Sequence, residues 1–207
     1  MTNIRSYEDM NLQEMDVMKE ISSIGTSHGA TALSKFLGRE VRITIPEVQL
    51  LTVEEAVKRL GEMEEIVAAV LVQMSGQIKG LMLFVFKLDL ANMVFEKLLG
   101  REYESFLEID EMAFSALQEV GNIIICSYVN AFSHLADMEV DLSVPASTVN
   151  MLGGIMTVPV AECGYETDRL MYINAEFILE GKRFSDGLLM LPDIQSLNEI
   201  MDKLGVS

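Results

Sequence analysis

The strongest constraint in this sequence is that its key pattern is written twice. Asp16, Glu20 and Ser23 stand at spacings of four and three, and 22 residues separate Ser23 from Pro46. Ser115, Glu119 and Asn122 repeat those spacings, again with 22 residues before Pro145. Glu20 and Glu119 lie 99 positions apart, as do Pro46 and Pro145. A duplicated unit is expected to fold twice, so elements should come in pairs. On a helix, spacings of four and three bring each polar triplet onto one face. Ala113, Leu117, Val120 and Ile124 then form the opposite, apolar face of the second helix.

The first copy opens with residues 11–37, read as a long amphipathic helix. Met15, Met18, Ile21 or Ser22, Gly25, Ala32 and Phe36 carry its apolar period, and Gly38 stops it. Gly25 and Gly29 each forfeit about 1 kcal/mol of helix propensity against alanine. Glycines four apart point to close approach of another backbone. A strand over Val41–Ile45 ends at Pro46, a short helix spans Val53–Leu60, and a hairpin joins Ile66–Met74 to Gln77–Phe86 around Ser75-Gly76. Leu88–Leu99 is helical. The second copy runs through a long helix over Glu108–Leu135, a strand over Glu139–Val144, and a hairpin of Leu170–Leu179 with Arg183–Leu191 around Glu180-Gly181-Lys182. A last helix spans Pro192–Leu204. Thr148–Met156 reads neither way, because Gly153-Gly154 interrupts it. The expected fold is α/β (α+β) with a pseudo-two-fold tandem repeat: an antiparallel sheet with both long helices side by side on one face. It forms a single domain over 1–207, with repeats over about 11–100 and 108–205.

Charge narrows the partners. The net charge of −17 repels a polyanion and argues against nucleic acid. It favours a partner with a basic surface. The apolar half of the composition is dispersed, with no uncharged run long enough to span a bilayer. The opening residues contain no apolar signal core, so a cytoplasmic protein is expected. Cys126 and Cys163 form no framework and read as packed thiols, Cys126 one turn past Asn122 in the polar row. His28 and His134 have no neighbours at metal-ligand spacing. Gly25-Thr26-Ser27-His28-Gly29 matches G-x-S-x-G, but a nucleophile elbow needs a strand before it. The helical period of Met15–Ile24 reads instead as packing glycines.

The doubled pattern [Asp/Ser]-x3-Glu-x2-Asn-x22-Pro resembles the signature of the CheC/CheX/FliY family of chemotaxis phosphatases. Glu119-Val120-Gly121-Asn122-Ile123 and the glycine-rich Ile24–Ser34 both look like the family's helices, and the likeness runs through essentially the whole chain. It implies a CheC-like fold and removal of the phosphoryl group from the aspartyl phosphate of CheY, a response regulator receiver. Asn122 would position the attacking water, and Glu119 would pair with a lysine at the receiver's active site. Ser115 would trim the helix face, and Pro145 would end a strand. No cofactor of its own is implied, since the receiver supplies the divalent metal. The first site, Asp16, Glu20, Ser23 and Pro46, departs from the family in carrying Ser23 where asparagine belongs. Its hydroxyl is about two heavy atoms shorter, and a misplacement of about 1 Å can lose a hundredfold in rate. That site is expected to be weak or dead in catalysis while still able to dock a receiver through Glu20. The resemblance also implies binding of the deamidase CheD through Thr148–Ile155, with Asn150 in that segment. The alternative is a non-catalytic adaptor for phosphorylated receiver, CheD or the flagellar switch.

Overall fold

The structure is a computed structural model that describes residues 4–44, 46–163 and 169–206. The long helix of the first copy, α1, spans Leu12–Leu37. It starts on a reciprocal cap in which Asn11 accepts from the amides of Gln13 and Glu14 while Glu14 accepts from that of Asn11. It stops at Gly38, whose φ of 62° suits glycine. Strands β1 (Val41–Ile43) and β2 (Glu47–Thr52) follow, then α2 (Val53–Leu60), the hairpin β3 (Ile66–Gly76) and β4 (Gly80–Phe86), and α3 (Leu88–Leu99). The second copy supplies α4 (Glu111–Ala136), β5 (Val140–Leu142), β6 (Ala146–Met151), the short helices α5 (Leu152–Ile155) and α6 (Thr157–Cys163), the hairpin β7 (Arg169–Leu179) and β8 (Lys182–Pro192), and α7 (Ile194–Lys203). Single 3₁₀ turns, Tyr7–Asp9 and Phe106–Glu108, precede the two long helices.

All eight strands join one antiparallel sheet, ordered β1-β7-β8-β4-β3-β5, with β2 also on β7 and β6 also on β3. The halves are exchanged: β1 and β2 complete the hairpin of the second copy, and β5 and β6 complete that of the first. The registers obey the repeat, since Val41 faces Leu179 as Val140 faces Gly76, and Glu47 faces Asn174 as Ala146 faces Leu71. Between β5 and β6 the register slips by one residue, from Leu142 opposite Met74 to Ala146 opposite Leu71. That slip is a bulge, and Pro145, which has no amide to donate, occupies it. The same slip occurs between β1 and β2 at Pro46. The conserved distance from each polar triplet to its proline therefore measures a helix, its turn and a short strand ending in a bulge.

One face of the sheet carries α1 and α4 side by side, flanked by α3 and α7. Met18, Ile21, Leu117, Val120, Ile124 and Phe132 pack there on Val70, Val72, Phe84, Phe86 and Phe177. The other face is closed by α2 and α5 through Ala56, Leu60, Leu152 and Ile155. α4 is long and apolar enough to cross a membrane by length and composition, but half of its most apolar window is buried inside the fold.

Several boundaries differ from the sequence reading. The first hairpin turns at Gln77–Lys79, not Ser75-Gly76, because Gly76 (φ 92°) still pairs with Val140 and Gly80 (φ 142°) pairs with Met74. The second turns at Glu180-Gly181, both with positive φ, as a tight two-residue turn requires. β2 is absent from the sequence reading, and Ile45 lies outside the described residues. Thr148–Met156 divides into the end of β6 and α5. Pro192 closes β8 rather than opening α7, which is capped by Asp193 accepting from Ser196 N. Phe36, read as inward, is 37% exposed, while Leu33 takes the buried position. The alternation Gly25, Gly29, Leu33 carries the buried stripe one position away from Phe36.

Candidate active site

α4 begins at Asp110, whose side chain accepts from Ala113 N and pairs with Arg101. The Ala113 amide first, and the Arg101 guanidinium after it, hold the Asp110 carboxyl below its ordinary range. The helix then buries Ala113, Leu117, Val120 and Ile124, each at most 2% exposed. Ser115 and Glu119 are exposed in consequence, and Asn122 is half-buried in the same row.

Three contacts fix this row. Gly121 lies against β3: a Cβ there would fall 2.6 Å from Val70 Cγ2. The missing side chain lets α4 settle onto the sheet at the residue before Asn122. Gln118 Nε2 donates to the Pro145 carbonyl at 3.3 Å, tying the bulge between β5 and β6 to the helix. The Cys126 thiol donates to Asn122 Oδ1 at 3.3 Å. Burial, and then the Glu119 carboxylate, push the Cys126 pKa up, so at neutral pH the sulfur keeps the proton it donates. Among the described residues Asn122 Nδ2 meets no hydrogen-bond acceptor, which leaves it for another partner. Ser115 Oγ donates back to the Glu111 carbonyl at 2.8 Å, so its hydroxyl serves its own helix. Sequence reasoning missed the roles of Gly121 and Gln118, although a glycine between Val120 and Asn122 in mid-helix was the signal for a close approach.

The first copy sits on α1, related by the pseudo-two-fold axis. Asp16 and Glu20 are exposed and Ser23 is half-buried, repeating the row. Here the chemistry differs. Asp16 pairs with Lys19 at 2.8 Å, and Ser27 Oγ donates to the Ser23 carbonyl at 3.0 Å. No carboxamide faces outward between Asp16 and Ser27. Pro46 is buried at its own bulge. Gly25-Thr26-Ser27-His28-Gly29 lies wholly inside α1, with no strand before it, so it is no nucleophile elbow. Gly25 packs against Tyr128: a Cβ there would meet Tyr128 Cα at 2.9 Å. Gly29 has ordinary room, with Ser127 Cβ at 3.6 Å, so one glycine of the pair, not both, marks a tight crossing. Thr26 and Tyr128 share a buried hydroxyl–hydroxyl bond of 2.7 Å there.

Asn150 is exposed near the end of β6, and its side chain accepts from Met151 N. The side chain of Cys163 lies outside what the structure describes. Among the described residues no group of three His, Cys, Asp or Glu side chains is placed to hold a metal ion.

A family model described as the CheC-like family matches residues 112–149, the span from the first turn of α4 through most of β6. The chain is 28% identical over 206 residues to the protein named CheY-P phosphatase CheC of Bacillus subtilis (strain 168), covering 97% of this chain and 98% of that protein. Among solved structures, FliY of Thermotoga maritima matches with a TM-score of 0.74 at 21% identity, over 95% of this chain and 98% of that one. FliM of H. pylori, solved with SpeE, matches with a TM-score of 0.72 at 15% identity, over 95% and 96%. The last two share the fold.

Proposed function

Because this chain belongs to the CheC-like family, we propose that it hydrolyses the aspartyl phosphate of a CheY-type receiver domain. The observation that carries this reading is the outward row on α4, in which Asn122 follows Glu119 by one turn and is held by Cys126. An acyl phosphate is already reactive, so an accessory protein needs chiefly to place a water in line with phosphorus. A carboxamide can both donate to and accept from that water without carrying a charge against the phosphoryl oxygens. The water oxygen bonds to phosphorus as the bond to the aspartyl oxygen breaks. The carboxylate leaves, and the water's proton passes to phosphate or solvent. Glu119 takes no proton in this scheme. It pairs with a lysine of the receiver and sets the register of docking. The divalent metal at the phosphoryl group belongs to the receiver substrate.

The second site does this work. The first, with Ser23 in place of asparagine and Asp16 paired to Lys19, docks weakly or only packs. The relative from Bacillus subtilis, named a CheY-P phosphatase, supports the substrate class. A site that positions water with one amide is a modest catalyst, so modulation by a CheD-type deamidase bound at the β6–α5 segment around Asn150 belongs to the same proposal.

The test is turnover. Substoichiometric protein added to phosphorylated CheY should shorten the phosphate's lifetime through many cycles per molecule. A lifetime that changes only in proportion to complex formed would instead identify a binding adaptor.

A further inference from the structure

The polar row of α4 continues beyond Ser115. Met112, three residues earlier, extends the line Met112–Ser115–Glu119–Asn122, and it is 64% exposed. In the turn before α4, Leu107 is 74% exposed. It lines a cleft of about 370 Å³ with the apolar Phe106, Ile109, Phe114 and Val149 and the acidic Asp110 and Glu111. The cleft lies between the 3₁₀ turn before α4, the first turn of α4, and β6.

The duplicated half carries different side chains at this corner. Leu107 and Met112 correspond, 99 positions earlier, to Glu8 and Gln13. Arg169 faces Thr52 in the sheet as Ile66 faces Met151, so Arg169 is the counterpart of Ile66. In the first half Arg169 pairs with Glu8 at 2.6 Å and donates to the Leu50 carbonyl, crossing the corner with charge. In the second half the same corner holds Leu107 and Ile66. Apolar Leu107 and Ile66 thus accompany the copy that carries Asn122, and the Arg169–Glu8 ion pair accompanies the copy that carries Ser23.

We propose that this cleft is a docking pocket for the receiver domain, taking an apolar side chain of the receiver that is flanked by basic ones. The inference rests on the phosphatase reading for the identity of its occupant. Glu111 in the cleft wall and Asn122 are eleven residues apart, roughly 16 Å along a helix. A standard protein interface covers about 800 Å² on each partner, enough to span that distance. A receiver seated over Asn122 and Glu119 therefore reaches the cleft mouth. Charge selects the flanking groups. Residues 101–122 carry Glu102, Glu104, Glu108, Asp110, Glu111 and Glu119 against one cation, Arg101, and Arg101 is already spent on Asp110. A basic rim on the partner would be steered to this end of α4.

The experiment writes the first copy's residue onto the second. The variant Leu107→Glu changes one exposed side chain in the cleft wall, and circular dichroism and melting confirm its fold. Two readouts are taken with CheY: steady-state phosphate release, and equilibrium binding of the beryllofluoride-activated receiver. The variant should raise KM about tenfold, move kcat less than twofold, and weaken binding by a similar factor of about ten. Unchanged KM and binding in a folded variant would overturn the pocket while leaving the phosphatase reading intact. If the wild type proves inactive, the phosphatase reading fails and the binding arm alone decides: tenfold weakening upholds the pocket. Equal affinity, or no binding by the wild type, overturns it.

Discussion

Replacing Gly25 with alanine sets two physical effects against each other. Helix propensity alone favours the alanine by about 1 kcal/mol in mid-helix. At Gly25 the new Cβ would lie 2.9 Å from Tyr128 Cα and from two of its ring carbons. The α-carbon belongs to α4's backbone and cannot rotate away. Relief requires α1 and α4 to part by about half an ångström, an overpacking that costs typically 1–3 kcal/mol. The same movement stretches the buried Thr26–Tyr128 bond from 2.7 Å, and weakening a buried hydroxyl pair costs up to about 1 kcal/mol more. With the propensity gain subtracted, the net expectation is a loss of up to about 3 kcal/mol. Gly29 is the control, since its nearest neighbour, Ser127 Cβ, would be at 3.6 Å. There propensity prevails, and Gly29→Ala should gain up to about 1 kcal/mol. In urea, with a slope near 2 kcal/mol/M, the midpoint should fall by up to about 1.5 M for Gly25→Ala and hold or rise for Gly29→Ala. A rise for Gly25→Ala, or equal falls for both, would refute the packing argument.

Gly121→Ala should also destabilise, by about 1–2 kcal/mol, because Val70 is branched at the clashing atom. Adding Val70→Ala should recover part of that loss, and a double-mutant cycle in urea reads the coupling. Asp186, buried and accepting from Lys87 N, has its pKa raised by burial to about 7 from 3.8. A folded-state pKa above the unfolded value gives stability that is complete below about 3.8 and lost as pH rises through about 7. Asp186→Asn should therefore gain on the wild type as pH rises from 5 to 8, by up to roughly 3 kcal/mol at 1.36 kcal/mol per pKa unit. Thermal melts across that range check it, and a constant difference between the two proteins would remove the carboxyl as its cause.

The sequence carried far because it states its fold twice. Periodicity located α1 and α4, glycines marked the ends of α1, α2 and α3, and the repeated interval to Pro46 and Pro145 aligned the halves. What it concealed is non-local. Nothing in the alternation of residues 41–52 says that β1 and β2 pair with the other copy's β7, because pairing is chosen by the sheet and not by the strand. The placement of the first turn failed because Gly76 and Gly80 both adopt positive φ, and either can be mistaken for the turn itself. Along the site, the exposed row was legible from spacing alone. Its supports were not, since Gln118 to Pro145 and Gly121 to Val70 join residues 27 and 51 positions apart.

The most direct measurement of the central claim is phosphate release from phosphorylated CheY with catalytic amounts of the wild type, Asn122→Ala and Ser23→Asn. One working amide and one degenerate site require that Asn122→Ala lose essentially all of the acceleration while keeping its melting temperature. Ser23→Asn should raise it, by up to about twofold if the repaired copy equals the native one. Full acceleration by folded Asn122→Ala would contradict the account, because Asn122 is the group assigned to hold the attacking water.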